Sequence, residues 1–154
     1  MNQQLRNAID ILEKNKLLYR LLEFEKAGIS SKDVEKQSDF KHEEIFKTIV
    51  LVDTEGKFYS AFLSGPDRVD VKKVQKHFNS SELRLAKAKE LKEQLKIAPG
   101  EVCPITINLP TVIDRKITKF EKINFGSGDI YYGIEMKTKD ILKYLDAKLE
   151  DISE

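Results

Sequence analysis

The stretch at residues 46–53 constrains the fold of this chain more than any other. It reads Phe-Lys-Thr-Ile-Val-Leu-Val-Asp, a short, β-branched and almost continuously apolar run. Such a run is typical of a strand that is covered on both faces. Lys47 stands near its start, and burying an ammonium without a partner is costly. Either Lys47 marks the strand end, where its amine reaches water, or it faces a cleft and meets an anion.

Length and charge narrow the class of protein. The 154 residues are 40% hydrophobic and 34% charged, which suits one domain with a sizeable core over residues 1–154. The formal net charge is only +1, so attraction of a polyanion needs a local basic patch. A single cysteine excludes an intramolecular disulfide, and no apolar run reaches the roughly 18 residues of a membrane span. We therefore expect a cytoplasmic protein that does not enter the membrane.

Local patterns predict short strands mixed with helices. Helices are predicted to begin at the N-caps Asn2, Ser30, Asp70 and Thr138. Strands are predicted over residues 46–53, 58–63 and 131–136, the last of these being the final strand, and the tail from residue 150 is expected to be frayed. Because strands and helices do not alternate strictly, the pattern favours an α+β fold with a mixed sheet.

Four segments are less well defined by their pattern. Residues 17–24 fit a strand or a continuation of the first helix, and residues 82–96 fit a short strand followed by a helix, or one helix. Residues 102–107 read as an apolar strand after a Pro-Gly loop. Residues 110–114 read as a connection between elements, although Val112 and Ile113 are apolar.

The residue types that most often carry chemistry form no convincing constellation. His42 and His77 are far apart and belong to no ligand-spaced motif, so we predict no metal site. His42 lies in an acidic, polar stretch and is expected at the surface, and His77 is expected to complement the dipole of a basic helix. Cys103 fits a small core residue better than a nucleophile, because no motif supplies a base or a positive field.

Glycine loops and basic groups are more suggestive. Gly100 and the turn at residues 126–129 can bring backbone N–H groups close to a ligand oxygen, although ordinary turn chemistry explains both. The turn is neither a P-loop nor a dinucleotide fingerprint, since it lacks Gly-Lys-Ser/Thr and leads into a strand. The sequence also contains three groups of basic residues. Because acidic residues are interleaved with them, we interpret these groups first as solvated helix faces and second as a tRNA-binding rim. These groups are Lys72, Lys73, Lys76 and His77; Arg84, Lys87, Lys89, Lys92 and Lys96; and Arg115, Lys116, Lys119 and Lys122.

Three short motifs occur in a specific order. They are Phe46-Lys47-Thr48 with the apolar run after it, Pro99-Gly100-Glu101-Val102-Cys103-Pro104, and Phe125-Gly126-Ser127-Gly128 followed by Ile134-Glu135-Met136. With this order and spacing, residues 5–146 resemble the YbaK/ProX family of aminoacyl-tRNA deacylases. Members of that family also occur as the editing domain of bacterial prolyl-tRNA synthetases.

The resemblance implies a fold, a reaction and a set of site residues. The fold is a mixed, strongly curved, barrel-like sheet surrounded by helices. The reaction is hydrolysis, without a cofactor, of the ester between a wrong amino acid and the 3′ end of tRNA. Lys47 and Gly100 would be the catalytic residues. The substrate-binding residues would be Phe24, Thr48, Pro104, Gly126, Ser127, Gly128 and Asp129. Gly133 departs from the family pattern, which often has an acidic residue there; Asp129 is a candidate replacement.

Two functions follow from these features. The first is a trans-editing deacylase that removes alanine, serine or cysteine from a mischarged tRNA such as tRNA-Pro. An aminoacyl ester is already activated, so positioning and oxyanion stabilisation suffice and no triad is needed. The alternative is a non-catalytic module that binds a tRNA end or a small ligand and docks on an aminoacyl-tRNA synthetase.

Overall fold

One curled, mixed sheet organises residues 1–154 in the computed structural model. The helices are α1 (Gln3–Lys14), α2 (Ser31–Gln37), α3 (Val71–Phe78), α4 (Ala88–Glu90, continued by a π-helical turn at Leu91–Leu95) and α5 (Thr138–Leu145). The strands are β1 (Arg20–Glu23), β2 (Ile45–Val52), β3 (Phe58–Ser64), β4 (Arg84–Leu85), β5 (Thr111–Asp114), β6 (Lys122–Gly126), β7 (Tyr132–Lys137) and β8 (Lys148–Glu150).

Strand β2, the apolar run of the sequence, lies at the centre of this sheet. The strand order is β1-β7-β6-β2-β3-β5-β8, and β4 adds a short antiparallel pairing to β2. β2 is antiparallel to β3 and parallel to β6. A central strand has neighbours on both edges and side chains packed on both faces, which explains its nearly continuous hydrophobicity. The predicted α+β class and mixed, curved sheet are confirmed.

Two hydrophobic clusters cover opposite faces of the sheet. Phe46 and Phe62 belong to the larger cluster, which α1 and α5 close with residues such as Leu5 and Ile141. Leu51 belongs to the second cluster, below α3. Because successive side chains of a strand point to opposite faces, β2 supplies both clusters.

Most local predictions are confirmed. Asn2 Oδ1 accepts a hydrogen bond from Leu5 N at 2.9 Å, and Asp70 Oδ1 accepts one from Lys73 N at 3.2 Å. Ser30 forms the predicted reciprocal capping box at the start of α2. Residues 17–24 contain strand β1 and not a continued helix, and residues 82–96 divide into β4 and α4.

Two predictions for the middle of the chain are wrong. Residues 102–107 form a turn and not a strand, and residues 111–114, interpreted as a connection, form strand β5 between β3 and β8. Both errors concern segments of a few apolar residues. At that length the pattern does not distinguish a buried strand from a buried turn, and the pairing partner decides.

The predictions for the C-terminal end also need correction. Lys137, not Thr138, is the N-cap of α5; the Thr138 hydroxyl donates instead to the carbonyl of Phe120. The strand at residues 131–136 is not the final one, because β8 follows α5 and pairs with β5. The tail is not frayed: Ile152 is fully buried and Ser153 bridges to Val69.

None of the helices is long and apolar enough to span a membrane. The chain also contains no cluster of three or more His, Cys, Asp or Glu side chains arranged to hold a metal ion.

Candidate active site

A cavity of about 160 Å³ lies beside the junction of β2 and β6. These strands pair only at Ile45–Asn124 and Phe46–Phe125, and the residues that follow on both strands contribute to the wall. Eight of the nine site residues implied by the resemblance line this cavity. They are Phe24, Lys47, Thr48, Gly100, Gly126, Ser127, Gly128 and Asp129. Pro104 does not; it lies with Ile105 and Tyr144 around a separate depression.

Lys47 lines the cavity, and two backbone carbonyl groups hold its ammonium. Nζ donates to the carbonyl oxygens of Gly65 at 2.8 Å and Asp67 at 2.6 Å. Partial removal from water lowers the pKa of Lys47, and the nearby Asp67 carboxylate partly offsets this effect. An ammonium has three N–H donors, so one remains for a ligand after these two bonds. Lys47 therefore lines the cleft, as one of the two sequence interpretations has it, and the protein holds its ammonium in place; the binding of an anion by Lys47 stays a prediction.

The two glycine loops pack against each other at the cavity. A Cβ atom on Gly128, whose φ is +89°, would lie 2.7 Å from Cβ of Gln4 and 3.2 Å from the carbonyl oxygen of Glu101. A Cβ atom on Gly100 would lie 2.9 Å from a methyl group of Ile130. A side chain at Gly128 would therefore overlap α1 and the loop at Glu101, and one at Gly100 would overlap Ile130, so both positions favour glycine for close approach.

The side chains of Ser127 and Asp129 hold this turn in shape. Ser127 is fully buried, and its Oγ lies 2.7 Å from the carbonyl of Tyr132 and accepts from Asp129 N at 3.1 Å. The Asp129 carboxylate accepts from Asn2 N at 2.9 Å and Tyr131 N at 3.0 Å. Both side chains thus have partners within the protein. The backbone N–H groups of Ser127 and Gly128 do not: both residues are buried, and neither amide has an acceptor.

Two residues of the cavity lining each have a polar side-chain atom without a partner. Thr48 Oγ1 and Asn124 Nδ2 are buried and make no hydrogen bond, and both residues line the cavity with Phe24. Sequence reasoning missed Asn124. Its only signal was a polar residue within an otherwise apolar strand, because Ile123 and Phe125 on either side are fully buried.

A serine–histidine pair at the cavity was also missed. His42, expected at the surface, is half-buried, and its Nε2 lies 2.6 Å from Oγ of Ser31, which lines the cavity. No sequence motif joins residues 31 and 42. The packing of α2 beside the start of β2 brings them together.

Cys103 is a core residue, as predicted. It is 1% exposed, it does not line the cavity, and burial raises the pKa of its thiol to about 11. A thiol that stays protonated at neutral pH is a poor nucleophile. It lies in a turn and not in the strand that the sequence pattern suggested.

Acidic partners neutralise several side chains of the three basic groups. Arg84 and Glu90 form an ion pair at 2.6 Å, and Lys116 pairs with Asp67 at 3.2 Å. The Arg84 guanidinium lowers the pKa of Glu90 to about 2. His77 Nδ1 lies 3.6 Å from the Glu150 carboxylate. These pairs favour solvated faces; the tRNA-binding rim stays a prediction.

Comparison with known proteins agrees with this geometry. Residues 25–144 match the model of the aminoacyl-tRNA editing domain. A protein of Enterococcus faecalis, named as a candidate Cys-tRNA(Pro)/Cys-tRNA(Cys) deacylase, is 24% identical over 98% of this chain and 94% of its own length.

Solved structures share the fold. A candidate trans-editing enzyme for prolyl tRNA synthetase has a TM-score of 0.86 at 23% identity, over 100% of this chain and 99% of its own. A hypothetical protein has a TM-score of 0.87 at 24% identity, over 95% of this chain and 98% of its own. The domain match extends over most of the 154 residues, from just after β1 into α5. The chain therefore belongs to the family of aminoacyl-tRNA editing domains, as its motifs predicted.

Proposed function

We propose that this protein is a trans-editing deacylase that hydrolyses the ester of a tRNA mischarged with alanine, serine or cysteine, with tRNA-Pro as the leading candidate tRNA. The observation that carries the proposal is the convergence of Lys47, Thr48 and the two glycine loops on one small cavity. Family membership supports hydrolysis of aminoacyl-tRNA as the reaction. The substrate is the 3′ end of aminoacyl-tRNA, and an aminoacyl-tRNA synthetase is a further partner.

Lys47 positions the substrate in this proposal. Two of its three N–H donors are fixed by Gly65 and Asp67, which aims the third. That donor and the positive charge bind the phosphate of the terminal nucleotide. A charge-assisted hydrogen bond of this kind is short and strong, and it orients the ester next to the glycine loops.

The glycine turn stabilises the transition state. Water, activated by a group of the substrate such as a ribose hydroxyl, attacks the ester carbon and gives a tetrahedral oxyanion. The N–H groups of Ser127 and Gly128 make no backbone hydrogen bond within the protein, and they therefore support an oxyanion site here. Collapse of the intermediate breaks the bond to the ribose oxygen, which takes up the proton that the water lost, and releases the amino acid and the tRNA. One such donor contributes about 3–4 kcal/mol.

The size of the cavity sets the substrate class. At about 160 Å³ it is close to a 150 Å³ protein cavity that holds one benzene molecule. This space must take the ammonium and the ester group as well as the side chain. It therefore favours alanyl, seryl and cysteinyl groups and disfavours the prolyl ring, which is the size exclusion on which editing depends.

The test is multiple-turnover hydrolysis of Ala-, Ser-, Cys- and Pro-tRNA-Pro by the wild type and Lys47→Met. We expect many turnovers on at least one small aminoacyl group, little on the prolyl group, and a loss of at least about 100-fold in Lys47→Met. Lys139→Met, which removes an exposed lysine outside the cavity, is the matched control and should keep wild-type turnover.

Two results would contradict the proposal. Full single-turnover activity of Lys47→Met would remove Lys47 from the mechanism. Stoichiometric tRNA binding without turnover on any of the four substrates would favour the alternative binding module.

A further inference from the structure

Asn124 is a buried polar residue for which the proposed mechanism has no role. It is 1% exposed, its Nδ2 has no hydrogen-bond partner, and it lines the cavity. An unpaired buried amide costs stability, so such groups in folded proteins usually have a ligand or a functional reason. Thr48, whose hydroxyl is also unpaired, is another residue of the cavity lining.

The absence of a side chain at Gly133 leaves the space that the Asn124 carboxamide occupies. β6 and β7 are antiparallel with Asn124 opposite Glu135, so Gly133 is the diagonal neighbour on the same face. A Cβ atom on Gly133 would lie 2.9 Å from Asn124 Oδ1 and 3.0 Å from its Nδ2. The carboxamide therefore fills the space that a side chain at position 133 would occupy. The acidic residue that the resemblance leads us to expect at 133 is absent, and Asn124 is the polar group at that wall.

Asn124 and Lys47 face the same side of the sheet. Ile45 is opposite Asn124 in the parallel pair of β2 and β6, and Lys47 is two residues further along β2. From strand geometry, the Cα atoms of Lys47 and Asn124 are roughly 8 Å apart. Lys47 is half-buried and Asn124 is buried, so the lysine is at the outer end of the cavity and the asparagine at the inner end. A terminal nucleotide at Lys47 would thus direct its aminoacyl group toward Asn124.

We propose that Asn124 determines specificity by selecting a hydroxyl-bearing aminoacyl group, so that seryl-tRNA is preferred over alanyl-tRNA. This inference rests on the proposed deacylase function and names the substrate within it. The Asn124 carboxamide pairs with the seryl hydroxyl, either by accepting its proton at Oδ1 or, when the carboxamide is rotated, by donating from Nδ2 to its oxygen.

Hydrogen-bonding capacity distinguishes the possible ligands. Nδ2 is a donor, so it needs an acceptor. The alanyl methyl group has none, the α-ammonium has only donors, and a thiol is a weak acceptor. A hydroxyl both donates and accepts, and it therefore pairs with either orientation of the carboxamide. A site built to bind a substrate hydroxyl discriminates strongly against the analogue that lacks it, because its own buried groups are then left unpaired.

The test compares Ser-tRNA and Ala-tRNA of one tRNA species with the wild type, Asn124→Leu and Asn7→Leu. Leucine matches asparagine in shape and removes its hydrogen bonding. Asn7 is exposed on α1 and is the matched control. We expect kcat/KM of the wild type and Asn7→Leu to favour Ser-tRNA by at least about tenfold. In Asn124→Leu the ratio should fall to within about twofold of one, mainly through loss of activity on Ser-tRNA.

Thermal stability separates specificity from a structural role. Replacing an unpaired buried amide by an apolar group of the same shape should leave the Tm of Asn124→Leu equal to that of the wild type or higher. A marked fall in Tm with equal loss on both substrates would assign Asn124 to structure. An unchanged ratio of kcat/KM for Ser-tRNA and Ala-tRNA in Asn124→Leu would also overturn the inference. That result is expected if Asn124 binds the ester carbonyl, which both substrates share.

A binding experiment makes the inference independent of turnover. Adenosine carrying seryl or alanyl through a 3′-amide in place of the ester is not hydrolysed, and its affinity is measured by titration calorimetry. Tighter binding of the seryl analogue, by at least about tenfold in the wild type and absent in Asn124→Leu, would support the role of Asn124 even if no tRNA were hydrolysed. Equal affinities would overturn it, whatever the outcome for the deacylase.

Discussion

Gly128 provides the sharpest test of how closely the glycine turn packs against α1 and the loop at Glu101. The change is Gly128→Ala, and Gly56→Ala is its matched control. Both glycines have positive φ, +89° at Gly128 and +83° at Gly56. A Cβ atom on Gly56 meets no atom within 4 Å, whereas one on Gly128 lies 2.7 Å from Cβ of Gln4 and 3.2 Å from the carbonyl of Glu101.

The structure gives the size of the effect. The left-handed backbone costs an alanine about 1–2 kcal/mol at either position. Alanine also lowers the conformational entropy of the unfolded chain, and this offsets part of that cost. Only Gly128→Ala adds an overlap with packed atoms, which costs about 1–3 kcal/mol. The difference between the two variants therefore isolates the overlap. At an m-value of about 2 kcal/mol/M, the urea midpoint of Gly128→Ala should lie about 0.5–1.5 M below that of Gly56→Ala.

The assay is urea unfolding followed by circular dichroism, with deacylation measured on the same samples. Because the turn at residues 126–128 must move to admit the methyl group, Gly128→Ala should also lose up to about 100-fold in kcat/KM, and Gly56→Ala should lose none. Midpoints that agree within about 0.2 M would refute the close packing of α1 and Glu101 around Gly128.

Three further predictions follow from burial. Burial raises the pKa of Cys103 from 9.0 to about 11, so the unfolded chain ionises first as pH rises. The stability of the wild type relative to Cys103→Ala should therefore fall by about 2 kcal/mol between pH 9 and pH 11, and an equal pH dependence would contradict this. Ile152→Ala, at a fully buried position, should lower the free energy of unfolding in urea by about 2–4 kcal/mol. Its control Ile29→Ala, at a position 76% exposed, should lower it by less than about 0.5 kcal/mol. Similar losses in the two variants would mean that the tail is loose. Gly133→Ala should displace the Asn124 carboxamide and lower kcat/KM at least about tenfold. Turnover equal to that of the wild type would contradict this prediction and show that the carboxamide has room to move.

The sequence predicted the features that depend on near neighbours. The Asn2 and Ser30 caps join residues three apart, and the hairpin of β2 and β3 needs only a short turn. The motif around Lys47 and both glycine loops also keep their local form in the structure. Their presence on one cavity followed from the resemblance to a family, and not from the residues by themselves.

Contacts between distant residues were not predictable from local pattern. β5 is a strand because β3 and β8 pair with it, and β8 lies more than thirty residues further along the chain. Its four residues carry no period that separates a strand from a connection. The tail after residue 150 is polar in sequence, and only its position beside α3 buries Ile152.

The same distinction between local and long-range features applies to the candidate site. By itself the sequence determined the central strand with its lysine, the capped helices and the turns that need glycine, because each depends on the conformational preference of a few consecutive residues. The tertiary structure alone decided that Asn124 faces Gly133, that Ser31 meets His42, and that Pro104 lies outside the cavity. Those relations depend on the register and packing of segments far apart in the chain, and register follows from the whole set of buried contacts and not from any local pattern.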